Sequence, residues 1–230
     1  MTSSRLPGKI MKQVAGHPLL YFHVSRLRRS RLADSVVVAT SDQPSDDVAA
    51  AYCESQGFSV FRGDLDDVLK RFADCAAAFK ADIVVRTTGD CPLIDPALVD
   101  LCIAAALAAS PPPDHLVLDS ASFPRGLDVE VVRREAIDIA AQNATDPYER
   151  EHVTPFIYRR PEEFRLQRFT GDDEAYGGRW CVDEAADFEL VSRISEALYP
   201  TNPDFGWLDV KALLEANHDW AAINSHVRQK

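Results

Sequence analysis

Ile83-Val84-Val85-Arg86-Thr87-Thr88-Gly89-Asp90-Cys91-Pro92-Leu93-Ile94-Asp95-Pro96 passes from a short apolar run, through a turn bearing glycine and proline, into an alanine- and leucine-rich stretch that reaches Ala109. The apolar run predicts a buried strand. The stretch after it predicts a helix, with Asp95 as N-cap and proline at the first helical position. Asp90 therefore stands at the carboxyl end of a strand, in a turn fixed by Gly89 and Pro92, where a carboxylate can hold Mg2+. The same residue also suits an Asx-turn, and the local sequence leaves both readings open.

Working outward, the same strand–helix rhythm recurs. Upstream, helical apolar spacing covers residues 19–32, a buried strand 36–40, a helix 45–56 ended by Gly57, a strand 58–61 and a helix 65–79. Downstream, strands are predicted at 116–118, 127–132, 164–169 and 179–182, and helices at 134–142, 148–159, 185–199 and 208–216. The alternation implies an α/β domain: a mixed, mostly parallel sheet between helical layers, with ligands beyond the carboxyl ends of the strands. The 230 residues suit one domain, with residues 200–230 as a C-terminal helical extension.

Composition narrows the function. A net charge of −11 argues against a nucleic-acid partner. No run of about 18 apolar residues predicts a membrane span, and the polar, basic start has no secretory pattern, so the expected location is the cytoplasm. The five cysteines form no Cys-x-x-Cys pair, which predicts free thiols rather than a disulfide framework or zinc ribbon. Charge is uneven, however. Arg5, Lys9, Lys12, Arg26, Arg28, Arg29 and Arg31 all precede the first acid, Asp34. For Arg26 to Arg31 a solvated basic helix face is the favoured reading over an anion site.

Two further motifs carry chemistry. Ser3-Ser4-Arg5-Leu6-Pro7-Gly8-Lys9 gathers two hydroxyls, a guanidinium, a glycine and an ammonium ahead of a helix, a set able to meet phosphate oxygens. It lacks the first glycine and the Ser/Thr of a Walker A loop, and an ordinary surface loop fits it equally well. Arg179-Trp180-Cys181-Val182-Asp183 places a second aspartate at the end of a short strand. Asp90 and Asp183 together can clamp one Mg2+ against a triphosphate, while Glu184 and Asp187 read as acids of a helix first turn.

The acceptor side rests on Pro124-Arg125-Gly126-Leu127-Asp128-Val129-Glu130, read as a loop running into a strand. Period two puts Asp128 and Glu130 on one face, either as ligands of sugar hydroxyls or as an outward polar face. Asp128 can also aid deprotonation, Arg125 can pair with an acceptor carboxylate, and His152 is either a substrate ligand or a helix-packing residue. Asp64-Leu65-Asp66 matches the Asp-x-Asp metal motif of many glycosyltransferases. Just before a helix, those acids read more readily as caps.

Taken together, the chain resembles the cytidylyltransferase family of spore coat polysaccharide biosynthesis protein F, related to the 3-deoxy-manno-octulosonate and acylneuraminate cytidylyltransferases. The resemblance runs from residue 1 to about 199. It rests on Ser4-Arg5-Leu6-Pro7-Gly8-Lys9, Phe61-Arg62-Gly63, Asp67-Val68-Leu69, Thr88 to Asp95, Gly126 to Glu130, Arg150-Glu151-His152-Val153-Thr154-Pro155, and Arg179-Trp180 with Val182-Asp183. It implies the nucleotide-diphospho-sugar transferase fold and transfer of CMP from CTP to a sugar-like acceptor in surface polysaccharide or glycoconjugate synthesis. It implies a nucleotide site of Ser3, Ser4, Arg5, Gly8, Lys9, Thr88 and Gly89, Mg2+ on Asp90 and Asp183, and a homodimer. In this family an apolar strand ending in a Gln-Ala-Arg-like sequence precedes the first motif. Its absence here predicts an open slot near the middle of the sheet and suggests a start codon assigned too late. A glycosyltransferase, or an inactive structural relative, is the alternative function.

Overall fold

The computed structural model describes residues 5–171 and 177–228. Eight strands and ten α-helices follow one another along it: β1 (Gln13–Val14), β2 (His17–Pro18), α1 (Leu19–Leu27), β3 (Val37–Ser41), α2 (Asp47–Ser55), β4 (Ser59–Gly63), α3 (Val68–Ala78), β5 (Ile83–Arg86), α4 (Pro96–Ala108), β6 (His115–Leu118), β7 (Glu130–Arg133), α5 (Arg134–Asn143), α6 (Pro147–His152), α7 (Pro155–Tyr158), β8 (Leu166–Phe169), α8 (Ala185–Leu198), α9 (Trp207–Ala216) and α10 (His218–Ala221). No helix among the described residues is long and apolar enough to cross a membrane.

The sheet is mixed and lies in two pieces. β3 pairs in parallel with β4, while β5, β7, β6 and β8 form a four-stranded sheet with two antiparallel pairs and one parallel pair. Side chains alternate across β7, so Val131 joins one core and Val132 the other. The first core packs α4 and α8 on the sheet through Leu98, Cys102, Leu190 and Ile194, and the second packs α3, α5 and α7 through Leu69, Ile137 and Ile157. A third cluster, of Leu20, Val24, Ala49, Cys53 and Phe58, seats α1 and α2 on the β3–β4 pair. Among the described residues, no hydrogen-bonded pairing joins β3 to β5. Both strands line an apolar groove of about 500 Å3.

Several predicted elements differ from those formed. The predicted strand 127–132 begins only at Glu130, because the Asp128 carboxylate turns back to accept from Gly126 N at 2.9 Å. Asp128 and Glu130 therefore do not share a strand face. The predicted helix 148–159 is two helices. Val153 turns the chain at φ 75, with Thr154 N donating to His152 O at 2.9 Å, and Pro155, which has no N–H to continue the first helix, opens the second. Residues 179–182 form a single bridge, Arg125 to Arg179, rather than a strand.

The basic run 26–31 is a solvated face only in part: Arg28 and Arg31 are exposed, but Arg26 and Arg29 are tied down. Arg26 is buried, donates from Nε to Ile94 O at 2.7 Å and lies 4.4 Å from the Phe205 ring centroid. Arg29 donates to Asp204 O at 2.8 Å. Residues 205–224 pack on the first core through Phe205, Val210 and Leu214, and Trp207 N donates to the N-cap carboxylate Asp95 at 2.7 Å.

Candidate nucleotide and metal site

Three segments far apart in sequence meet at one point. The first is the turn 5–9. Gly8 takes φ 67, which a side chain would strain, and Met11 N donates to Gly8 O at 2.9 Å, so Lys9 opens a short 3-10 helix. The second is the turn after β5, closed by Cys91 N donating to Thr88 O at 3.0 Å. The third is the segment 179–183. Its Val182 N donates to Asp90 O at 2.7 Å, so the two aspartate-bearing loops are bonded to each other through their main chains.

Lys9 Nζ lies 2.9 Å from Asp90 Oδ2 and 2.9 Å from Asp183 Oδ1. The two carboxylates thus converge on one cation. Arg5 flanks them, with one guanidinium nitrogen 3.1 Å from Asp183 Oδ2 and the other 3.5 Å from Glu184 Oε1. Ser3 and Ser4 lie outside the described residues.

Electrostatics keeps this cluster charged. Burial by itself raises the Asp90 and Asp183 carboxyls, but Lys9 outweighs it and both sit below the usual aspartate range. Burial pulls Lys9 down, yet the two aspartates hold it above its ordinary value. Burial pushes the neighbouring Cys181 thiol up to about 12, and Cys91 is raised as well. Neither is a ready nucleophile.

Behind Asp183 stands a network that sequence spacing did not reveal. Arg179 donates to Asp183 Oδ2 at 2.6 Å and, from Nε, to Asp187 Oδ1 at 2.9 Å. Asp187 is fully buried and also accepts from Asp183 N at 2.9 Å and Glu184 N at 3.0 Å. It does serve the helix first turn, as expected, but it also anchors the arginine that orients Asp183.

The acceptor-side residues separate into two places. Arg125 runs beside the third segment, where Trp180 N donates to Arg125 O at 2.7 Å, and its guanidinium lies 3.3 Å from Asp128 Oδ1. Gly126 makes this approach possible. At φ 102, a Cβ there would lie 2.6 Å from Cys181 N. Glu130 is not a free ligand. It takes Arg86 at 2.7 Å and Thr154 Oγ1 at 2.9 Å, with His115 Nε2 at 3.5 Å. His152 is exposed and packs on Tyr148 of its own helix, with ring centroids 4.3 Å apart. In the Asp64-Leu65-Asp66 stretch, Asp64 closes the turn before α3, accepting from Asp66 N and Asp67 N, each at 2.9 Å, and the next residue, Asp67, caps α3 and pairs with Arg150.

The donor set fits a divalent cation shared with a ligand. Two carboxylates already meet on one cation, and no group of three or more His, Cys, Asp or Glu stands ready as an all-protein cage among the described residues.

The chain is similar to known proteins along most of its length. Residues 1–196 match the family model described as Cytidylyltransferase. The spore coat polysaccharide biosynthesis protein SpsF of Bacillus subtilis is 34% identical, the match covering 96% of this chain and 93% of that one. A cytidylyltransferase of Leptospira borgpetersenii superposes with a TM-score of 0.90 at 30% identity, covering 100% of this chain and 95% of that one. A CMP:2-keto-3-deoxy-manno-octonic acid synthetase solved with CTP superposes with a TM-score of 0.65 at 18% identity, over 85% of this chain and 95% of that one, a likeness of fold alone. With its fold matched along its whole length and its sequence matched over most of it, the chain belongs to the cytidylyltransferase family.

Proposed function

We propose that the protein transfers CMP from CTP to a sugar-like acceptor with release of pyrophosphate, in the synthesis of a surface polysaccharide or glycoconjugate. One observation carries the reading: residues 9, 90 and 183 converge on a single cation position, with Arg5 beside it. A triphosphate needs such a site, with fixed cations for its oxygens and carboxylates for a divalent ion.

In the reaction, an acceptor oxygen attacks the α-phosphorus in line and the bond to the bridging oxygen of pyrophosphate breaks. The acceptor proton is lost to Asp128 or to solvent. Arg5 and Lys9 stabilise the charge that gathers on the departing pyrophosphate. To do so, Lys9 would exchange its two aspartate partners for phosphate oxygens. Asp90 and Asp183 would hold the Mg2+, which would neutralise phosphate charge when bound. Arg125, partly exposed beside the third segment, pairs with an acceptor carboxylate, as in a keto-acid sugar. Glu130, held by Arg86 and Thr154, shapes the wall behind. The homodimer implied by the resemblance belongs to this reading too, and sedimentation would test it.

Titration calorimetry with CTP, UTP, GTP and ATP, each with and without Mg2+, tests the reading. Selective, magnesium-dependent CTP binding is expected, followed by pyrophosphate release in an acceptor screen. Binding of a different triphosphate would refute the choice of base, and silence with all four would refute the nucleotidyl transfer.

A further inference from the structure

Asn224 lies beyond the stretch matched by the family model, which ends at residue 196. It is nonetheless buried, 4% exposed, and its side-chain amide donates twice, to Arg179 O and to Asp187 Oδ1, each at 2.8 Å. Both acceptors belong to the network that orients Asp183. Arg179 lies between the Asp187 carboxylate, which Asn224 helps to hold, and Asp183 Oδ2. Asp183 Oδ1 is thereby left facing Lys9 and Asp90.

We propose that Asn224 is a positioning residue for the metal and nucleotide site, through which the C-terminal segment sets the orientation of Asp183. The inference rests on the reading of Asp90 and Asp183 as metal ligands. A side-chain amide suits the position because it supplies two donors to two acceptors without adding charge beside Asp187. Without it, one oxygen of a fully buried carboxylate loses a donor, and Arg179 shifts its balance from Asp183 toward Asp187. Outer partners of metal ligands commonly govern affinity by about 10- to 100-fold, and the lower end is expected at two bonds' remove.

The test is Mn2+ binding, followed by electron paramagnetic resonance on the full chain with and without CTP, for wild type, Asn224→Ala, Asn224→Ser and Leu214→Ala. Leu214 is a buried α9 residue of the first core. Its truncation loosens the same segment without touching the network. Asn224→Ala should weaken Mn2+ by about 10-fold. Asn224→Ser, which keeps one donor, should fall between and guards against failure of the alanine variant to fold. Leu214→Ala should lower the melting temperature and leave Mn2+ affinity near wild type. Measured in the same way in an added Asp187→Asn background, Asn224→Ala should have little further effect, since the two act as one unit. Wild-type Mn2+ affinity in Asn224→Ala, or equal weakening by Leu214→Ala, would overturn the inference while the metal reading stands. Absence of Mn2+ binding by wild type with CTP would sink the metal reading itself, and this inference with it.

Discussion

Substituting Glu130 with glutamine separates a structural carboxylate from a substrate ligand. The side chain is 15% exposed and faces Arg86, which is 20% exposed. Burial raises the Glu130 carboxyl, but His115 and Arg86 together bring it from 4.5 down to about 2. That depression corresponds to about 3 kcal/mol of native stability at neutral pH. Because the folded carboxyl is the stronger acid, this contribution is complete above the unfolded value of 4.5 and disappears as pH falls through about 2. At pH 3 the same linkage leaves less than half of that. For a chain of this size the neutral loss lowers the melting temperature by about 10 °C. Urea unfolding of wild type and Glu130→Gln at pH 7 and pH 3 measures both values. A difference that is equal at the two pH values, or below about 1 kcal/mol at pH 7, would refute the ionic account. A stable variant with impaired acceptor KM would make Glu130 a ligand after all.

Other variants read the site directly. Asp90→Asn should reduce pyrophosphate release by at least about 100-fold with little loss of fold, since it sits in an ion cluster rather than a core; near-normal turnover would exclude it as a ligand. Lys9→Met should slow turnover to a similar degree, yet tighten binding of Mn2+ alone, because the two aspartates lose their internal cation; weaker Mn2+ binding would contradict that competition. Gly126→Ala forces a Cβ to 2.6 Å from Cys181 N at φ 102, so denaturant melts should show a loss of more than about 3 kcal/mol. Asp64→Ala should leave turnover unchanged, and a collapse in activity would revive the Asp-x-Asp metal reading.

How much of this was legible in the sequence depended on distance along the chain. β3 and β5 were legible as apolar runs, although they were expected to be buried and, Ser41 apart, are only half-buried where they line the groove; Asp95 was legible because its cap bonds reach only Ala97 and Leu98. Asp90 and Asp183 could be picked out only as strand-end acids. That they meet depends on the Val182-to-Asp90 main-chain bond, which joins residues far apart in sequence. Within the basic run, Arg26 departs from a solvated face for a related reason. Arg26 is placed by Phe205 from the other end of the chain, and no local charge pattern records that. Asn224 and Asp187 were invisible as a pair, since a buried amide and a buried carboxylate look like any polar surface residues until the segments that bury them are known.

The divided sheet has a consequence for handling the protein. Among the described residues, β3 pairs only with β4, and β5 only with β7. Each therefore presents a free hydrogen-bonding edge, and the two edges border an apolar groove. Edges of that kind serve as templates for any extended chain that reaches them. Solutions of this chain should lose monomer as concentration rises. A short apolar peptide added in excess should compete with that self-association, protecting the amides of residues 37–41 and 83–86 from hydrogen exchange.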